Sequence, residues 1–171
     1  MTSVSLALRT ILGGLLVSLL LLLARDPADA ATVTGNFQVK ITIQNACAIT
    51  SLNDLDFGTQ NVLTSAVTGS TTLSVHCSNT TPYNIGLDTG TGAGATLAAR
   101  KMTGPGAATI TYSLYQNSGF TLLWGDVIGA NTVAGTGTGG DQNYTVYGQV
   151  PAQSTPAPGL YTDTILVTVT F

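Results

Sequence analysis

Residues 32–44 alternate without a break. Val33, Gly35, Phe37, Val39, Ile41 and Ile43 take the odd positions, and Thr34, Asn36, Gln38, Lys40 and Thr42 the even ones between them. A period of two marks a strand with one buried and one wet face, because successive side chains on an extended backbone point to opposite sides. Strands in globular domains run about 5–6 residues, so the stretch is too long for one sheet position and reads as two strands in series. Residues 33–39 are expected to leave their own domain and fill a gap in a neighbouring copy, and the chain from Ile41 onward to stay at home.

What precedes this stretch reads as a secretory signal: Arg9, an apolar run over residues 11–23, then Ala28-Asp29-Ala30, with cleavage expected after Ala30. The run is shorter than the roughly 20 apolar residues a bilayer needs. Three parts result: a signal peptide at 1–30, a donor strand at 31–40 and a single sandwich domain at 41–171. After residue 30, Lys40, Arg100 and Lys101 stand against six aspartates and no glutamate. Such a balance leaves no basic footprint for nucleic acid. Threonine, valine and glycine dominate while the long charged residues of exposed helix faces are almost missing, so the chain is all-β. Cys47 and Cys77, an even pair in an exported chain, are expected to form a disulfide.

Further alternating runs follow. Strands are expected at 52–59, ending at Gly58; at 71–77, with Leu73, Val75 and Cys77 inward and His76 outward on the surface without a partner; and at 83–88. Residues 65–70 read as loop. Residues 97–102 read as an edge strand, because the adjacent charges Arg100 and Lys101 resist edge-to-edge pairing. Residues 109–116 and 121–125 make a hairpin, 128–141 a glycine-rich loop, 144–150 a strand, and 162–171 a last strand with Ile165, Val167, Val169 and Phe171 on one face. Short strands with turns about every ten residues describe a sandwich of two antiparallel sheets.

Catalytic chemistry finds no footing. His76 is the one histidine and sits beside a cysteine assigned to the disulfide. The glycines at 90, 92 and 94 are followed by no helix that would complete a phosphate loop. Asp54 and Asp56 suit turn bonding, and Asp141 behind its glycines is a poor calcium candidate. No catalytic, metal or cofactor site is expected.

At this point the chain resembles the spore coat protein U domain family, and within it the major subunits of archaic chaperone–usher pili. The likeness is carried by Val33-Thr34-Gly35, Val39-Lys40-Ile41, Cys47, Phe57-Gly58-Thr59, residues 75–77, Tyr112-Ser113-Leu114-Tyr115, Tyr147-Gly148 and the closing run from Gly159-Leu160-Tyr161-Thr162-Asp163-Thr164 to Phe171. The resemblance implies an incomplete immunoglobulin-like β-sandwich completed by donor-strand exchange. Val33, Phe37, Val39 and Ile41 would be donor side chains, with Gly35 where only backbone fits. Ile165, Val167, Val169 and Phe171 would line an acceptor groove and contact a periplasmic chaperone. The implied partners are neighbouring subunits in a homopolymer, that chaperone and an outer-membrane usher, and the implied location is a surface pilus reached through the periplasm. A secreted spore-coat or matrix protein of the same fold is the rival use. A carbohydrate-binding module, with Trp124 and Tyr115 stacking on sugar, is another.

Overall fold

The computed structural model describes residues 29–171. The chain divides into a unit ending at Ile41 and a compact unit, Thr42–Phe171. The described part of the first, residues 29–41, carries no helix or strand, and its apolar side chains are bare: Val33 is 98% and Phe37 87% exposed. The expected signal peptide falls, but for its last two residues, outside the described residues.

The compact unit holds eight strands, all antiparallel: β1 Cys47–Leu52, β2 Val67–Cys77, β3 Pro82–Leu87, β4 Arg100–Thr103, β5 Thr109–Tyr115, β6 Val133–Thr136, β7 Asp141–Val150 and β8 Val167–Thr170. They form a five-stranded sheet in the order β1-β2-β7-β5-β4 and a three-stranded sheet in the order β6-β3-β8. The inward positions of each alternating run supply the core. Leu73, Val75 and Cys77 on β2, Tyr112 and Leu114 on β5, and Val146 and Val150 on β7 are buried together with Tyr83, Ile85 and Leu87 on β3. The described residues contain one 3-10 turn, Pro105–Ala107, and none of their helices is long and apolar enough to cross a membrane.

Several sequence expectations are corrected. The first strand starts at Cys47, and Ile41 and Ile43 are exposed rather than paired at home. Alternation records what a segment can bury. It does not place the partner in the same chain. The expected strand at 52–59 stops at Leu52; beyond it Leu55 and Phe57 pack on the core, and Asp56 Oδ1 accepts the Gly58 amide at 2.8 Å in a tight turn. Residues 67–70 are not loop but the start of β2, in register with β7.

A cross-strand pair, Gly69 and Gly148, explains both shifts. A Cβ at Gly148 would lie 2.8 Å from the side chains of Leu55 and Phe57, so the missing side chains leave the saddle those two residues occupy. The expected loop at 128–141 contains β6, recruited by pairing with β3. The run at 121–125 makes a single bridge, Tyr115 to Leu123, and no strand. The last strand is confined to Val167–Thr170. His76 does have a partner: across the β2–β7 ladder its Nδ1 lies 3.0 Å from Asp141 Oδ1.

Arg100 inverts its expected role. β4 is an edge strand as read, but Arg100 is completely buried. Its guanidinium donates to the carbonyls of Asp88 at 2.8 Å, Trp124 at 2.7 Å, Leu97 at 3.1 Å and Leu87 at 3.2 Å. Lys101 alone keeps a solvent-side charge on this edge, with Nζ donating to the Ala93 carbonyl.

Candidate functional site

Between the sheets, beside β8, lies a cleft of about 640 Å³. One wall is the segment that leaves β1, with Leu52, Leu55 and Phe57; the other is the segment that approaches β8, with Leu160, Ile165 and Val167. Leu73, Leu114, Val146 and Met102 form an apolar floor. The strands flanking the opening are both edges. β8 pairs with β3 and β1 with β2, and neither pairs with another strand among the described residues. Their free N–H and C=O groups beside an apolar floor are what a further strand requires.

The C-terminal wall is built from side-chain bonds. Thr162 pairs with Thr103 of β4 through two backbone hydrogen bonds, 2.8 and 3.1 Å. Asp163 Oδ2 accepts the Tyr112 hydroxyl at 2.7 Å, and its Oδ1 accepts the Thr91 amide, the Thr91 hydroxyl and the Thr164 amide, each at 2.8 Å. Asp88 Oδ1 accepts the Leu166 amide at 3.0 Å. Burial, reinforced by the bond to Asp163, pushes the Tyr112 hydroxyl well above the ordinary tyrosine pKa. Burial pulls the Arg100 guanidinium down, and Tyr112 and the carboxylates of Asp88, Asp163 and Asp126 oppose that fall.

Of the residues assigned to the acceptor groove, Ile165 and Val167 line the cleft. Val169 is half-buried against the core, and Phe171 is 59% exposed. The donor residues Val33, Phe37, Val39 and Ile41 are exposed, and Gly35 has nothing within 4 Å of the position its Cβ would take. Cys47 and Cys77 are joined by a disulfide between register partners of β1 and β2. Leu55, Phe57, Tyr112 and Asp163 belong to the site but were not singled out for it from sequence. A clue lay in the unalternating residues 159–164, since a segment that keeps Asp and Tyr before an apolar strand must spend them on something other than sheet.

Trp124 is 1% exposed, with Nε1 donating to the Ile85 carbonyl at 2.9 Å, and is closed to sugar stacking. No cluster of three or more metal-ligating side chains occurs among the described residues.

The spore coat protein U domain model matches residues 33–168. The chain belongs to that family. Protein U of Myxococcus xanthus is 33% identical to it over 164 residues, spanning 88% of this chain and 91% of the relative. Among solved structures, a chain in the chaperone–tip adhesion subunit pre-assembly complex from the archaic chaperone–usher Csu pili of Acinetobacter baumannii is similar at 26% identity and a TM-score of 0.55. The match covers 76% of this spore coat protein U domain chain and 40% of the length of that chain. Family and likeness together support an all-β, immunoglobulin-like subunit of pilus type, a structural protein and not an enzyme.

Proposed function

We propose that this protein is the major structural subunit of an archaic chaperone–usher pilus and polymerises by donor-strand exchange into surface fibres for adhesion and biofilm formation. The observation that carries this reading is the pairing of two unsatisfied features in one sequence. One is a cleft with an apolar floor, flanked by a free strand edge. The other is an alternating segment whose apolar side chains are largely exposed. Each costs free energy in water, and each supplies what the other lacks.

In this reading residues 1–30 direct export and are removed. A periplasmic chaperone occupies the cleft first, and an outer-membrane usher hands the subunit on. Val33, Phe37, Val39 and Ile41 of the next subunit then replace the chaperone beside β8, with Gly35 passing where the wall allows only backbone. A head-to-tail contact of this kind does not close on itself and makes a fibre. Deleting residues 31–39 tests the assignment. The truncated subunit should still be exported and form a complex with its chaperone, yet give no fibres when surface material is sheared and imaged. Intact fibres from the truncation overturn it.

One observation favours a second use of the same fold, as a secreted coat or matrix protein: the relative matched over nearly its whole length is Protein U, whereas the chain in the Csu pilus complex is matched over 40% of its length. Copurification decides between them. A chaperone held at the cleft supports the pilus, and a secreted monomer free of chaperone supports the coat.

A further inference from the structure

The wall of the cleft that leads into β8 contains few strand bonds. Between Thr162, tied to the five-stranded sheet at Thr103, and Val167, paired with Leu87 in the three-stranded sheet, the chain crosses from one sheet to the other. A crossing strand satisfies neither ladder, and here the side chains of Asp163 and Asp88 take over. We propose that Asp163 is a positioning residue that latches this crossover to β5 and to the loop after β3, and so holds Ile165 in the cleft wall before any partner strand arrives.

Three features support the latch. The Asp163 carboxylate accepts four hydrogen bonds from three elements: Tyr112 on β5, Thr91 in the loop after β3, and its own neighbour Thr164. The loop is shaped to receive it. Gly90 has φ +79, and a Cβ there would fall 2.7 Å from the Asp163 carboxyl carbon, so neither a side chain nor an ordinary backbone conformation fits. Upstream, Gly104 leaves room for the Tyr161 ring, whose atoms would lie 2.6 Å from a Cβ at that position. The residues from 159 to 164 therefore serve as a fastening and not as strand, and their preorganisation lowers the ordering cost that a docking strand would otherwise meet.

The latch can be measured apart from docking, although its consequence for docking rests on the function proposed above. Amide hydrogen exchange reads the latch. In Asp163→Ala, exchange at residues 164–167 should accelerate at least tenfold while the β2–β7 ladder keeps its protection. Asp163→Asn, which retains an acceptor for Thr91 and Thr164, should stay within about threefold of the parent. Unchanged exchange at 164–167 in Asp163→Ala overturns the proposal. Should that variant not fold, Tyr112→Phe and Thr91→Ala each remove part of the latch and should raise exchange at 164–167 about threefold; no change in either overturns it equally. A synthetic peptide of residues 33–43 reads the docking. It should bind Asp163→Ala at least tenfold more weakly than the parent, at a temperature where both are folded. A peptide that the parent protein also fails to bind sinks the docking reading, and the exchange result still decides the latch.

Discussion

Arg100 shows how far one side chain's surroundings can depart from its sequence context. A charge beside a second charge on a short strand reads as edge protection, but this one is spent inside on four carbonyl groups from three segments. No carboxylate forms an ion pair with it among the described residues, so its retention rests on hydrogen bonds to an ionised donor, which are stronger than neutral ones. Arg100→Met keeps much of the volume and removes every donor, leaving buried carbonyls short of partners. A loss of about 3 kcal/mol is expected in urea unfolding, with Arg100→Lys in between because an ammonium lacks the planar fork. Equal stability of Met and parent would show that the carbonyls find other donors. Tyr83 and Tyr112 allow a second test. Burial first and hydrogen bonding second raise both pKa values, Tyr83 through Tyr144 and Tyr112 through Asp163. A raised pKa contributes stability that is intact below the ordinary tyrosine value of about 10 and is lost as pH climbs above it, because the unfolded chain ionises there and the fold cannot. Tyrosinate absorbance from these two residues should therefore appear only together with alkaline unfolding seen by circular dichroism.

At the scale of elements, what was legible in the sequence was whatever alternation dictates. The inward faces of β2, β3, β5 and β7 follow directly from it, as does the disulfide from the cysteine count. The illegible parts are decided by tertiary pairing. Residues 67–70 are Val-Thr-Gly-Ser and β6 is Val-Ala-Gly-Thr; both look like loop until a partner strand supplies their hydrogen bonds. The loop that follows β6 is likewise fixed by contact. A Cβ on Gly137 would strike the Ser78 carbonyl oxygen and come within 2.9 Å of the Cys77 side chain. Gly137→Ala is therefore expected to cost about 1–3 kcal/mol, measured as a lowered denaturation midpoint, where the same change in a free loop would cost almost nothing. The disulfide closes a separation of 30 residues between β1 and β2. Replacing both cysteines with serine should cost about 3–4 kcal/mol in the chain-entropy description, and faster amide exchange should concentrate in β1, the edge strand that flanks the cleft.

For the molecule as a whole, one wall of the cleft was legible in the sequence and the other was not. Ile165 and Val167 could be read from the last alternating run, whereas Leu55 and Phe57 lie in a segment with no strand and are aimed inward only because Gly69 and Gly148 make room. The decisive question is whether the floor wants a strand. Appending residues 33–43 behind Phe171 through a flexible linker turns the proposed exchange into an intramolecular event, whose effective concentration a short linker sets in the millimolar range. The four donor side chains Val33, Phe37, Val39 and Ile41 would be buried, each worth about 1.5–3 kcal/mol as an upper estimate, against the cost of ordering the strand's backbone. A net gain of only about 2 kcal/mol would raise the melting temperature by roughly 5–10 °C in a domain of this size. The fused subunit should show at least that gain, stay monomeric, and cease to take up the free peptide. A version carrying Phe37→Asp and Val39→Asp in the appended strand should lose the gain, because two unpaired carboxylates cannot be buried on an apolar floor. If the unmodified fusion melts no higher than the parent, the cleft is not a strand site, and the exposed segment must be accounted for by some other partner.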